Sequence, residues 1–85
     1  MSNTKFFNDP VTVKATFDAD GQVTPTWLTW RNEDVRIVSV GRQWETPEGR
    51  HVLVEAATGT RYELQLSKSD LIWRLKQNWA NQLAA

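Results

Sequence analysis

An all-β fold is what this chain of 85 residues predicts: a six-stranded antiparallel meander forming a small barrel or a highly twisted sheet. Three observations predict it. Apolar and polar residues alternate with period two in Val11–Phe17 and again in Arg61–Leu66, the pattern of strands with one buried face. The run Val35–Val40 is rich in β-branched side chains, which suit a pleated, half-buried surface. Turn residues recur roughly every ten to twelve positions, a spacing that leaves room for short strands only.

The elements follow in order. Residues 1–10 read as a polar lead-in that carries Phe6 and Phe7 and ends in the turn-initiating pair Asp9-Pro10. The first strand is Val11–Phe17, and Asp20-Gly21 after it is a strong hairpin signal, because both positions tolerate positive φ. A second strand runs from about Gln22 to about Arg31. Pro25 within it has no amide to donate, which places that part at an edge or ahead of the pairing. Asn32-Glu33-Asp34 supplies the next turn. The third strand, Val35–Trp44, contains Gly41, where a bulge or bend would let Val38, Val40 and Trp44 serve one core.

Glu45–Gly49 is a loop with turn chemistry, followed by a fourth strand, His51–Ala56, and a turn at Thr58-Gly59. The fifth strand, Arg61–Leu66, sets Tyr62, Leu64 and Leu66 on one buried face. The last segment fits two patterns. Leu71, Leu75, Trp79 and Leu83 recur every four residues, as on a helix capped by Ser69 or Asp70. Leu71, Trp73 and Leu75 alternate equally well, as on a strand. The strand, Leu71–Lys76, is preferred, with residues 77–85 as a helical or frayed tail. The folded unit is then residues 11–76.

Composition narrows the function. There are no cysteines, so the core is held without disulfides or thiolate-bound metal. Ten basic and ten acidic residues cancel, which removes the bulk attraction expected of a dedicated nucleic-acid binder and mildly favours self-association. No apolar run approaches the ~20 residues of a membrane span. The opening MSNTKFFNDP lacks the apolar stretch of a signal peptide, so a cytoplasmic, bacterial-type protein is expected.

The runs Trp27-x-x-Trp30-Arg31, Val35-Arg-Ile37-Val38-x-Val40-x-x-x-Trp44, Tyr62-Glu63-Leu64 and Trp73-Arg74-Leu75 resemble a family of small uncharacterised bacterial domains. Similar modules stand at the C-terminus of some Y-family-polymerase-like proteins of damage tolerance. The resemblance covers roughly residues 11 to 76 and implies an all-β fold. It brings no catalytic residues. The chain departs from the family in having Asn32-Glu33-Asp34 where a small glycine-containing turn is expected.

Candidate chemistry is sparse. The single histidine, His51, opens a strand beside a turn and is expected to be solvated. Asp18-x-Asp20 begins like a calcium loop, but its glycine comes at the fourth position and no glutamate stands at the twelfth. No phosphate loop, nucleophile elbow or zinc-protease motif is present. No enzyme activity, cofactor or metal is therefore expected. A non-catalytic binding module is the leading expectation, making protein–protein or homo-oligomeric contacts through Phe6, Phe7, Trp79 and Leu83. The alternative is a nucleic-acid accessory domain for single-stranded or damaged DNA. It would use Arg31, Arg36, Arg42, Arg61 and Arg74 on phosphates and an exposed tryptophan on a base. Against this, the arginines would simply pair with Glu33, Asp34, Glu55 and Glu63 across strands.

Overall fold

The computed structural model describes residues 5–80. Among them the chain forms seven strands and no helix: β1 (Lys5–Pro10), β2 (Thr12–Phe17), β3 (Val23–Trp30), β4 (Glu33–Thr46), β5 (Gly49–Ala56), β6 (Thr60–Ser67) and β7 (Trp73–Ala80). All neighbours are antiparallel, and the order across the single sheet is β1-β7-β6-β5-β4-β3-β2. No helix here is long and apolar enough to cross a membrane.

The all-β meander is as expected, with one strand more than the six predicted. The extra strand is β1, which turns the expected lead-in into the partner of β7. A flat seven-stranded sheet would hold its edges about 29 Å apart, six spacings of about 4.8 Å. Yet only Val11 lies between β1 and β2, a reach of about 7 Å. The sheet must therefore curl until its two edge strands are consecutive pieces of one segment. The Val11 N–H donates to the Trp73 carbonyl at 2.9 Å, carrying the β7 contact up to this junction. No ladder joins β1 to β2, so the curl is not a closed barrel.

Local chemistry sets the turns. Arg31 and Asn32 both have positive φ, 54° and 66°, as a two-residue type I′ turn requires. The turn thus starts one residue earlier than Asn32-Glu33-Asp34 suggested, and Glu33 and Asp34 begin β4. At the β2–β3 turn the Asp18 carboxylate accepts the N–H groups of Asp20 and Gln22, at 3.0 and 2.9 Å, while Gly21 takes φ 81°. Pro25 precedes the β3–β4 ladder, which starts at Trp27, so its missing donor is not called on there.

β4 is shared by two halves of the sheet. Its start, Glu33–Arg36, pairs with β3, and from Ile37 onward it pairs with β5. Register shifts between Ile37 and Ser39 and between Val40 and Gln43 bend it, the second spanning Gly41. The bend does not keep Val38, Val40 and Trp44 on one core. Val40 packs inward, Val38 is exposed, and Trp44 lies flat on His51.

The core lines the inside of the curl. Leu28, Val52, Val54, Ala56, Tyr62, Leu64 and Leu75 are buried there, ringed by Phe7, Val11, Val13, Trp30, Val35, Ile37, Val40 and Trp73. Each large side chain of this set contributes about 1.5–3 kcal/mol by leaving water. The expected pair Tyr62 and Leu64 is buried, while Leu66 is half-buried at the rim. Residues 77–80 continue β7 instead of forming a helical or frayed tail, because all four pair with β6 and Gln77 and Asn78 pair with β1 as well. Residues 81–85 lie outside the described residues.

Candidate functional site

Among the described residues the four buried polar or charged ones, His51, Glu63, Gln65 and Ser67, lie on the outer face of β5 and β6. This overturns the expectation of a solvated His51. Position 51 stands on a central strand, between Trp44 on β4 and Gln65 on β6. The Trp44 ring lies parallel to the imidazole, with centroids 5.1 Å apart and an interplanar angle of 10°. Arg42 lies over Trp44 at 5.2 Å, so the indole meets a cation as well as the imidazole.

The network is continuous. His51 Nδ1 is 2.7 Å from Glu63 Oε2, and Gln77 Nε2 donates to Glu63 Oε1 at 2.6 Å. An ionised carboxylate only accepts, so Nδ1 carries a proton toward Glu63. In the neutral ring Nε2 then accepts from the Thr46 hydroxyl, 2.9 Å away. Hydroxyl, imidazole and carboxylate stand in the order of a nucleophilic triad. Here, however, Trp44 covers the ring and the Glu48 N–H donates to Thr46 Oγ1 at 3.2 Å. Both carboxylate oxygens of Glu63 are also engaged. The arrangement fastens the β4–β5 turn to the middle of the sheet.

Beside it lies a polar cleft of about 530 Å³ lined by Glu48, Gln65, Ser67, Asp70, Arg74 and Lys76, among others. Its groups are paired with one another. Arg74 donates to Asp70 at 2.9 Å and to Ser67 Oγ at 2.5 Å, Gln65 to Glu48 at 3.1 Å, and Lys76 to Asn8 at 2.9 Å. The Arg74 hydrogen bond holds the Asp70 carboxyl below its ordinary value. Among the described residues no three His, Cys, Asp or Glu side chains gather as a metal site.

A second cleft, about 260 Å³, opens at the end of the curl where the β2–β3 and β6–β7 turns meet, and it is mainly apolar. Phe17, Val23, Leu66 and Leu71 line it, with Glu45, Arg50 and Lys68 at its rim. Leu71 is 73% exposed and Phe17 58%. Leu71 also has φ 59°, a left-handed conformation that costs a non-glycine residue roughly 1–2 kcal/mol. The turn imposes it: the Leu71 N–H donates to the Ser67 carbonyl at 2.9 Å, closing the β6–β7 connection. At the rim Glu45 is 2.9 Å from Arg50 and 3.5 Å from Lys68. Arg50 first, then Lys68, holds the Glu45 carboxyl below its ordinary value.

The expected interaction residues do not form one patch. Phe6 is exposed on β1, whereas Phe7 packs on the core, edge-on to Trp30 at 4.9 Å. Trp79 is half-buried and lines a shallow groove with Leu53, Glu55 and Arg61. Leu83 lies outside the described residues. Phe17 and Leu71 were missed. Phe17 reads as the last core position of an alternating strand, and Leu71 as the first.

Nor do the five arginines share a surface. Arg31 is in the β3–β4 turn, over Trp30 at 4.5 Å and 3.3 Å from Asp9. Arg42, Arg61 and Arg74 lie along the outer face that carries His51, with Arg61 4.0 Å from Glu55. Arg36 stands apart, opposite Trp27. Of the four acids expected to pair with them, Glu55 alone does so among the described residues. Glu63 is taken by His51 and Gln77, and Asp34 accepts from Thr29 at 2.7 Å.

No family model matches this chain, and the searches of curated proteins and of solved structures found no match either.

Proposed function

We propose that this protein is a non-catalytic, cytoplasmic binding module that takes an extended partner segment into the cleft between Phe17 and Leu71. The segment presents aliphatic side chains with a neighbouring carboxylate. Leu71 carries the reading. Its backbone conformation favours glycine, yet it holds out a large apolar side chain, 73% exposed, that adds nothing to the core. Covering it, together with Phe17, recovers apolar surface that the fold leaves in water. Charge supports the choice of occupant, because at the rim Arg50 and Lys68 share the single carboxylate of Glu45. An incoming carboxylate completes that balance.

The test uses a fluorescein-labelled peptide of alternating leucine and aspartate, with anisotropy and sedimentation read side by side. Leu71→Gly relieves the backbone and leaves the core alone, so its stability stays equal to or above that of the unaltered chain. Binding is expected to fall about tenfold or more in Leu71→Gly and in Lys68→Glu. A peptide that fails to bind, or that binds Leu71→Gly equally well, defeats the proposal. A dimer of the unaltered chain that dissociates in Leu71→Gly would assign the cleft to a second copy instead.

A further inference from the structure

Lys14, Trp27 and Arg36 stand in one row across β2, β3 and β4, since Lys14 is paired with Trp27 and Trp27 with Arg36. Residues directly opposite on antiparallel strands project to the same side, with Cβ atoms about 5 Å apart. All three are exposed, the indole at 41%. This row is on the outside of the curl and separate from the Phe17–Leu71 cleft.

Two features coincide in this row. Trp30 and Trp44 each lie under an arginine, whereas no cation covers Trp27 among the described residues. Arg31, Arg50, Arg61, Lys68 and Arg74 each have a carboxylate within 4.0 Å. Among the described residues Lys14 and Arg36 have none, nor do Lys5, Arg42 and Lys76, but Lys14 and Arg36 alone of these flank an exposed indole that no cation covers. A groove of about 180 Å³ runs beside the indole, lined by Thr12, Lys14, Trp27, Thr29 and Asp34.

An uncovered indole between two unpaired cations offers a π-face for a base and a charge on each side for phosphate. We infer that this face binds single-stranded nucleic acid, one base stacking on Trp27 while flanking phosphates meet Lys14 and Arg36. Thr12 adds a hydroxyl on the groove side, while that of Thr29 donates to Asp34. Asp34, one row along, repels phosphate from that end, so the strand runs across β2, β3 and β4 and not down the groove. Two phosphate contacts predict a weak, shallow salt dependence, a slope of log K against log salt of about −1.4.

The test is a titration of a labelled oligothymidylate of about 12 nucleotides, followed by anisotropy at low and moderate salt. The same is done with an abasic strand of equal length and with polyglutamate as competitor. Trp27→Ala is expected to weaken binding on the order of ten- to a hundredfold, while Trp27→Phe, which keeps a stacking ring, retains most of it. Lys14→Glu and Arg36→Glu abolish it, and Arg61→Glu, farther round the outside of the curl on β6, changes nothing. Failure of the unaltered chain to bind overturns the inference, as does equal binding of the abasic strand. Displacement by polyglutamate as readily as by unlabelled oligothymidylate would make the row a general polyanion patch. Leu71→Gly leaves this row untouched, so the two binding readings fail separately.

Discussion

The carboxylate of Asp9 accepts the indole N–H of Trp30 at 3.0 Å and, on the same oxygen, the guanidinium of Arg31 at 3.3 Å. Asp9 is on β1, at one edge of the sheet, and its partners belong to the β3–β4 hairpin near the other. Where no ladder closes the curl, these side chains hold it shut. Phe7 reinforces the stitch, edge-on to Trp30 and 5.2 Å from the Arg31 guanidinium.

Asp9→Ala therefore leaves a half-buried indole N–H without its acceptor and frees Arg31. The expected cost is about 1–3 kcal/mol. Urea denaturation read by tryptophan fluorescence measures it, and Asp9→Asn, which keeps an acceptor oxygen, is expected to lose less. An unchanged midpoint in Asp9→Ala would show that the core alone maintains the curl.

Glu63→Ala strands two donors, His51 Nδ1–H and Gln77 Nε2, in a buried place. A loss of about 2–3 kcal/mol is expected. Because the imidazole lies on Trp44, the emission of that indole should shift as well, in native buffer and before any unfolding. A Glu63→Ala protein as stable as the unaltered chain would mean that water replaces the carboxylate freely.

Gly49→Ala is expected to be more damaging than any surface change. A Cβ at position 49 would run into the Leu66 carbonyl oxygen and stand 2.9 Å from the Leu66 carbonyl carbon, both backbone atoms of the paired strand. That contact cannot be relieved by turning a side chain. A loss of more than about 2 kcal/mol is expected, seen as a lowered melting temperature. Gly21→Ala, with open space around its Cβ, serves as the comparison and pays only for its positive φ.

Stability should fall on the acid side through Asp70 and Glu45. Both carboxyls are held below their ordinary values of 3.8 and 4.5, Asp70 by Arg74 and Glu45 by Arg50 and Lys68. A carboxyl depressed in the folded state stabilises it above the unfolded value and loses that contribution as pH falls through the folded one. The change falls below about pH 5 and is small, since both groups are exposed. Melting temperatures from about pH 5 to about pH 2 should drop less steeply in an Asp70→Asn, Glu45→Gln double variant. An identical slope would show that neither pair differs between folded and unfolded chains.

Period-two alternation in Val11–Phe17 and Arg61–Leu66, the β-branched run at Val35, and the Asp20-Gly21 turn determined the strands and most of their faces. These signals are local: they depend on which side chains lie two apart and on which residues accept positive φ. Proximity was decided by the tertiary structure alone. Lys5–Pro10 has no alternation of its own and became a strand because β7 offered it an unpaired edge. His51 and Glu63 read as a solvent face, since polar residues at alternate positions look the same at the centre of a sheet as at its margin. They are buried because central strands have neighbours on both sides. Lys14, Trp27 and Arg36 are separated by thirteen and nine residues, and only antiparallel register lines them up. Leu71 reads as the first core residue of a strand, and the geometry of one turn put it in solvent. Short-range chemistry thus determined the elements, while pairing between distant strands decided which side chains meet, because register is a property of two strands and is written in neither one.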